Sequence, residues 1–457
     1  MLPFLNRESE TMKLTTVLRG RSGVPVFVVI YGRRRCGKSR LLQKLMTEKD
    51  IYHLAENKDR ILQIKSLSDE IAGTVKEFSS VTYPDWESVL KNYDIRATKG
   101  TSLVIDEFPY LVHQSPELPS VLQKFLDTHK DRNFNLVICG SSQRMMHGLV
   151  MDASSPLYGR ADEIIKIRPM DCKWISKALS LNPVESVEAY SVLGGVPRYW
   201  ELALGKNLES IIRDIIIDRD AILYEEPVRL LLDDMQTVVQ SYSLLSVVGN
   251  GANRISEIAS RLGKPAGSLT RLLSQIVNLG YIRREVPYGE SIKTTKRSLY
   301  KIDDPLMSFY FKFVEPYKSQ IELGLSDDLY NNIVKPRLPG HISEVWEELA
   351  RKSVPELGLY DKKWKPACRW WGYGKDGNQM EVDVVSETYD GKSLLLGEAK
   401  WSGNISLSEI NKRMKYIEDN FPLVKNREVN KILFLKNKYD GIDSNIIVPE
   451  DIFSPSH

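Results

Sequence analysis

A multi-domain α/β fold is predicted by three features of this sequence. At 457 residues the chain exceeds what one hydrophobic core serves, and length alone implies about three domains. Residues 1–170 alternate apolar, strand-like runs with amphipathic stretches, as a parallel sheet covered by helices requires. Within that region an apolar run, Val26-Phe27-Val28-Val29-Ile30-Tyr31, passes through a glycine-bounded loop into Arg40-Leu41-Leu42-Gln43-Lys44-Leu45-Met46, with leucines at helical spacing.

The loop reads Gly32-Arg33-Arg34-Arg35-Cys36-Gly37-Lys38-Ser39, the pattern of a phosphate-binding P-loop. Gly32 and Gly37 allow the turn that points successive N–H groups inward, and the helix start adds partial positive charge. The candidate nucleotide-binding residues are therefore Gly32, Arg33, Arg34, Arg35, Cys36, Gly37, Lys38, Ser39 and Arg40. Lys38 would reach the β- and γ-phosphates, and the Ser39 hydroxyl would ligate Mg²⁺. A second strand, Ser102-Leu103-Val104-Ile105, runs into Asp106-Glu107. Downstream of a P-loop, Asp106 would hold Mg²⁺, directly or through water, and Glu107 would orient the attacking water. A third strand, Asn135 to Gly140, ends at Ser141-Ser142, where a polar residue either senses the γ-phosphate or caps a loop.

Bulk composition narrows the setting. With 42% hydrophobic and 27% charged residues the chain reads as globular, and a net charge of +3 means that any basic surface must be local. Cys36, Cys139, Cys172 and Cys368 lie far apart, against a zinc ribbon or disulfide framework and in favour of a reducing interior. The N-terminus meets charge within a few residues, unlike a signal peptide, and no apolar run approaches the roughly 20 residues of a membrane span. A cytoplasmic protein without a membrane partner is expected.

Five further segments recur together in one family: Phe4-Leu5-Asn6-Arg7-Glu8, Tyr31-Gly32-Arg33-Arg34-Arg35, Val104-Ile105-Asp106-Glu107-Phe108-Pro109-Tyr110-Leu111, Pro156-Leu157-Tyr158-Gly159-Arg160 and Leu193-Gly194-Gly195-Val196-Pro197-Arg198-Tyr199. In these the chain resembles the archaeal-type ATPases, a branch of the AAA+/STAND P-loop class, over roughly its first half. The resemblance implies ATP rather than GTP, an AAA-type α/β core and a small helical lid. It also implies that Asn6 and Arg7 lie near the nucleotide base, and that Arg160 is an arginine finger or sensor, acting in trans if the protein forms a homo-oligomer. From the residues alone Arg160 is equally a surface salt bridge. Cys36 stands where the family commonly has a β-branched residue, and a thiol there would make the loop oxidation-sensitive.

The remaining chain divides by pattern. Residues 171–237, Leu/Ile-rich with Gly194-Gly195 as a breaker, are expected to be the lid, with Arg213 to Asp220 as an amphipathic helix. Residues 238–303 hold two short helices, 255–263 and 268–280, then strands around a Lys/Arg-rich tip. This looks like a winged helix-turn-helix, which would offer Ser268, Thr270 and Arg271 to a DNA major groove and Lys293, Lys296 and Arg297 to phosphates; the alternative is a protein-interaction module.

Residues 304–457 carry a helix with Glu347, a strand Glu381-Val382-Asp383-Val384-Val385, and a strand ending Glu398-Ala399-Lys400, joined by a Tyr389-Asp390-Gly391-Lys392 turn. That hairpin would gather Asp383, Glu398 and Lys400, two carboxylates for Mg²⁺ and a lysine to orient a nucleophile. The region resembles a PD-(D/E)xK, restriction-endonuclease-like domain, which adds Glu347 to the metal ligands; a degenerate domain kept for assembly is the alternative. Lys362-Lys363-Trp364-Lys365 and Arg369-Trp370-Trp371-Gly372-Tyr373 mix cations with aromatics, as nucleic-acid surfaces and ordinary small domains both do. Two functions are thereby expected: an ATP-regulated nuclease, or a STAND-type switch whose nuclease-like domain only recognises DNA or protein.

Overall fold

In the computed structural model, residues 2–20, 23–235, 237–403, 406–439 and 445–453 are described. The first sheet holds β1 (Phe27–Tyr31), β2 (Ile51–Leu54), β3 (Thr101–Asp106), β4 (Phe134–Gly140) and β5 (Glu163–Lys166). Their order is β2-β3-β4-β1-β5, and every pairing is parallel. β1, β3 and β4 are buried throughout, which is why they read as continuous apolar runs. Val28, Ile30 and Val104 face one core and Phe27, Val29 and Leu103 the other. Parallel strands bring all their carboxyl ends to one edge, where α/β sheets bind ligands.

Residues beyond the sheet form the helices Lys173–Leu179, Pro183–Leu193, Pro197–Leu202, Leu208–Ile215 and Glu226–Asp234. Gly194-Gly195 breaks them as expected: Gly194 has φ 64°, and a Cβ on Gly195 would collide with the Met170 carbonyl. The expected amphipathic helix over 213–220 is corrected. Its helix stops at Ile215, because Ile215, Ile216 and Ile217 are all buried and a single helical face cannot bury three consecutive residues.

Three helices come next, Val238–Gly249, Ile255–Arg261 and Ala266–Leu279, with the antiparallel pair β6 (Ile282–Glu285) and β7 (Leu299–Ile302). Gly280, at φ 81°, ends the last helix in the left-handed conformation. The aromatic run after Asp304 is interior: Phe309, Tyr310, Phe311 and Phe313 are all fully buried.

A second, mixed sheet completes the chain: β8 (Cys368–Tyr373), β9 (Gln379–Glu387), β10 (Ser393–Lys400), β11 (Glu428–Leu435) and β12 (Asn445–Ile447), in the order β12-β11-β10-β9-β8. β8, β9 and β10 pair antiparallel, whereas β10, β11 and β12 run parallel. Helix Lys335–Ser353 packs on one face, through Trp346 against Phe434, and helix Leu407–Asn420 on the other, through Met414 and Ile417. One apolar core runs from the first sheet through the helical region to the Trp346 face of the second.

Candidate functional sites

The loop after β1 has the shape its glycines imply. Gly32 has φ 152° with the Ile167 carbonyl where a Cβ would sit, and Gly37 has φ 89° at the start of helix Lys38–Leu45. The Lys38 ammonium donates to the carbonyls of Gly32 and Arg33 at 2.9 and 3.0 Å and is buried. Arg7, also buried, donates to the carbonyls of Cys36 (3.2 Å) and Arg168 (2.6 Å), and so braces the loop from behind. A cleft of about 40 Å³ lies beside it, lined by Phe4, Leu5, Arg7, Arg40, Met170 and Trp200 among others; Asn6 does not line it.

The three loop arginines all turn away from the loop toward acidic partners. Arg33 pairs with Asp304 and donates to Tyr199 Oη at 3.3 Å; Arg34 meets Asp233 at 2.7 Å; Arg35 meets Glu226 at 2.6 Å. What Arg33, Arg34 and Arg35 offer a phosphate is therefore main-chain N–H, not guanidinium. Cys36 corrects the expectation of a reactive thiol. It is fully buried, and burial pushes its pKa up, so the nucleophilic thiolate is disfavoured.

Opposite the loop, the Asp106 carboxylate has no solvent exposure. Its Oδ1 accepts the Glu107 N–H at 2.9 Å, and its Oδ2 accepts the Tyr52 hydroxyl at 2.6 Å. Tyr52 also lies close to Ser39, and burial together with Asp106 holds its phenol protonated, well above the usual tyrosine range. Ser39, Asp106 and Tyr52 thus offer oxygen donors, which suit a hard cation such as Mg²⁺, while the Cys139 thiol stands behind the Asp106 carboxylate. Glu107 sits at φ 54°, ψ 39°, and its Oε2 accepts the Ser141 hydroxyl at 2.9 Å. Next to it, Ser142 donates to the Asp233 carbonyl (3.0 Å), and the Gln143 N–H to Asp234 (2.9 Å), which also takes the Tyr281 hydroxyl (2.8 Å). Arg160 makes a two-pronged bridge to Asp127 of its own chain, at 3.0 and 2.8 Å.

The second cluster lies at the end of the β9–β10 hairpin. Between Val382 and Val385, β9 has one residue more than β8, a bulge that re-aims Asp383. The β9–β10 ladder stops at Val384 and Gly397, and Asp383 Oδ2 takes the Ala399 N–H at 3.1 Å. The Lys400 ammonium spans Glu398 (3.0 Å) and Asp383 (3.5 Å), while Arg413 of helix Leu407–Asn420 holds the other Glu398 oxygen at 3.1 Å. Burial lowers the Lys400 pKa, but Glu398 and Asp383 outweigh it and raise the group overall.

Glu347 comes from the helix on the opposite sheet face. Burial and then the Asp383 charge push its pKa up to about 7, and the same two causes raise Glu398. Carboxylates that disfavour one another's charge are chemistry that a divalent cation relieves. The expected three-ligand cage is nonetheless not closed: among the described residues no three acidic, His or Cys side chains converge closely enough to hold a metal. Glu398 is tied to two cations, and Glu347 approaches from the other side.

Other expected contacts divide. Ser268, Thr270 and Arg271 form an exposed face of helix Ala266–Leu279, opposite buried Leu269, Leu272 and Leu273. Lys293, Lys296 and Arg297 are all exposed, but Arg297 is engaged with Glu290 (2.6 Å) and the Trp371 carbonyl. Trp364 and Trp370 are core residues, and Lys362, Lys365 and Arg369 are each paired with a glutamate. Tyr52, Asp304 and Arg413 escape a reading of the sequence alone. The run Ile51-Tyr52-His53-Leu54-Ala55 is a strand signal for the first, and Asp304-Pro305 is a helix-cap signal for the second.

A parallel sheet with a P-loop after its first strand and a buried Asp-Glu end on a neighbouring strand defines a P-loop ATPase. Residues 4–202 match the family described as an ATPase domain predominantly from Archaea. Residues 310–417 match a second family, described as archaeal and bacterial proteins of unknown function. Over 452 residues the chain is 29% identical to an uncharacterised protein of Methanocaldococcus jannaschii, covering 96% of this chain and 93% of that one. Solved structures similar to it include the Walker-type ATPase PABY2304 of Pyrococcus abyssi (20% identity, TM-score 0.49, covering 68% of this chain and 96% of that one). Another is the ORC2 protein of Aeropyrum pernix in ADPNP–ADP complexes (16% identity, TM-score 0.45, covering 71% and 96%). Among the described residues no helix is long and apolar enough to cross a membrane.

Proposed function

We propose that this P-loop ATPase couples its nucleotide state to DNA engagement and to metal-dependent cleavage of nucleic acid. In the ATP site Lys38 neutralises the phosphates, Ser39 and Asp106 hold Mg²⁺, and Glu107 orients the attacking water once Ser141 releases it. Base contact falls to the cleft beside Arg7. Arg160 is proposed to serve a neighbouring copy after leaving Asp127. ATPase activity that rises with protein concentration in wild type but not in Arg160→Ala would support this, and normal hydrolysis by Arg160→Ala would overturn it.

The observation that carries the cleavage reading is Lys400, which lies 3.0 Å from Glu398 and 3.5 Å from Asp383 at the end of the β9–β10 hairpin. Asp383 and Glu398, with Glu347, would hold the cation, which supplies charge stabilisation and an activated water when bound. Lys400 is then freed to orient the nucleophile. A cavity of about 530 Å³ opens next to Glu347; its lining mixes cations, Arg283, Lys301, Arg337 and Arg369 among them, with Asp303, Glu344 and Glu348, and the cations outnumber the acids, as a phosphodiester strand would require.

DNA binding by residues 238–303, as a winged helix, is supported by charge. Arg254, Lys264, Arg271, Lys293 and Lys296 are exposed there without an acidic partner among the described residues. The hairpin itself docks on the second sheet, where the Tyr288 N–H donates to the Arg369 carbonyl at 2.9 Å, so DNA would compete with that contact. Supercoiled plasmid incubated with purified protein and Mg²⁺ or Mn²⁺, with and without ATP, tests the reading. Nicking that Asp383→Ala abolishes supports it. Absence of cleavage in every nucleotide state favours the STAND-type switch, which the occupation of both Glu398 oxygens by Lys400 and Arg413 also favours.

A further inference from the structure

We infer that Tyr52 is a positioning residue for the cation of the ATP site, its hydroxyl fixing the rotation of the Asp106 carboxylate toward Ser39. The inference rests on the Mg²⁺ reading of Ser39 and Asp106 above, and it concerns a strand that carries no recognised motif residue.

The sheet register explains how Tyr52 reaches so far. On β2 and β3, Tyr52 pairs with Val104 and Leu54 with Asp106, so Tyr52, Val104 and Asp106 share one face. Tyr52 and Asp106 are therefore diagonal neighbours, about 7–8 Å apart along the backbone, a span that an aromatic side chain covers and a short polar one does not. The phenol lies along the sheet, and its hydroxyl arrives at Asp106 Oδ2 at 2.6 Å. Helix Lys38–Leu45 packs on this same face through Leu41 and Leu42, which brings Ser39 to the other side of the hydroxyl.

Two oxygen-specific hydrogen bonds restrain the Asp106 carboxylate among the described residues. Oδ1 takes the Glu107 N–H, a contact made by the next residue in the chain and hence tied to the left-handed turn at Glu107. Oδ2 takes Tyr52. The second comes from outside the β3 turn, as does a contact from the Cys139 thiol of β4, but of these two it is Tyr52 that stands between the carboxylate and Ser39 of the P-loop helix. Each oxygen keeps a free lone pair for an ion or its water. Without the hydroxyl the carboxylate would turn about its side-chain bond, and the oxygens that share a cation with Ser39 would no longer be preset.

Tyr52→Phe deletes the hydroxyl and keeps the ring packing. Binding of a fluorescent ATP analogue is titrated with Mg²⁺ for wild type, Tyr52→Phe, Asp106→Asn and the double variant, alongside binding in EDTA. The Mg²⁺ concentration at half-saturation should rise about tenfold in Tyr52→Phe, as expected for one lost hydrogen bond to a charged group. Binding in EDTA should be unchanged, and Tyr52→Phe should add nothing in the Asp106→Asn background. An unshifted Mg²⁺ midpoint, or equal losses with and without Mg²⁺, overturns the proposal while leaving the cation reading intact. Wild-type binding indifferent to Mg²⁺ overturns both.

Discussion

Arg33 of the phosphate loop and Asp304, 271 residues further along the chain, form an ion pair in which both side chains are almost fully buried. Asp304 also caps the helix Pro305–Phe309 by accepting the Met307 N–H at 2.8 Å, so one carboxylate ties the nucleotide loop to the first turn of the C-terminal region. Arg34 and Arg35 repeat the arrangement with Asp233 and Glu226, at either end of helix Glu226–Asp234. The loop is thus tied by ion pairs to the helices beyond the sheet.

Asp304→Asn leaves the Arg33 charge buried without its partner. Breaking such a pair from one side costs roughly 3–5 kcal/mol, whereas replacing both partners by apolar residues is often neutral. Asp304→Asn should therefore lower the urea-unfolding midpoint sharply, and Arg33→Met with Asp304→Leu should recover most of the loss. A double variant as unstable as Asp304→Asn, which keeps the capping oxygen, would count against an unpaired Arg33 charge as the cause of the loss.

The P-loop half of the molecule is legible in the sequence because its signals are local. Gly32, Gly37 and Lys38 lie within one turn, and β1, β3 and β4 are apolar on both faces. β2 escapes because its burial is broken, with Tyr52 half-buried and Leu54 exposed at the sheet edge. Asp383 and Glu398 are legible as a hairpin, since a turn fixes which residues of two strands meet. The bulge at Asp383 and the opposite-face approach of Glu347 are not, because both depend on packing against β8 and the helix Lys335–Ser353. The turn of the loop arginines toward acidic partners is equally hidden: nothing near Arg33 in sequence announces Asp304.

Lys38 and Glu107 separate binding from chemistry. Lys38→Ala removes the ammonium nearest the phosphates, and both nucleotide affinity and hydrolysis should fall. Glu107→Gln keeps the hydrogen bond to Ser141 but cannot take up a proton, so ATP should bind normally and turn over about 10²-fold or more slowly. Single-turnover hydrolysis and equilibrium binding measure the two. Glu107→Gln turning over at the wild-type rate would reassign the water-orienting role.

His341 sets an acid limit on stability. It is fully buried between Phe309 and Phe313, its Nε2 meets the Ser191 carbonyl at 2.8 Å, and burial, then Lys312, push its pKa down to about 4. Because the folded value lies below the unfolded one, the neutral ring contributes stability above pH 6.5 that is lost as pH falls toward 4. The loss totals ~3 kcal/mol at 1.36 kcal/mol per unit. Glu347, with its raised pKa, works with the opposite sign over much of this window, but it is common to both proteins compared. His341→Gln keeps a donor and removes the titration, so its unfolding free energy should depend less steeply on pH between about 6.5 and 4.5. Parallel slopes for the two proteins would refute the assignment.

Asp383, Glu398 and Lys400 are predicted to fail in different ways. Asp383→Ala and Glu398→Ala each remove a carboxylate that a cation needs, so metal-dependent nicking should disappear with either. Lys400→Ala removes no ligand. It relieves the pairing that now holds Glu398 and Asp383, so cation binding should persist or tighten while cleavage is lost. Arg413→Ala, which frees the other Glu398 oxygen, should tighten the cation and leave cleavage in place. Isothermal titration with Mn²⁺ reads the first property and plasmid nicking the second. ATP hydrolysis should stay near wild type in all four variants, since their side chains touch neither the P-loop nor Asp106. Cleavage that survives Asp383→Ala would place the chemistry elsewhere, and tighter Mn²⁺ binding without any cleavage in wild type would leave the cluster a metal-sensing device of the switch.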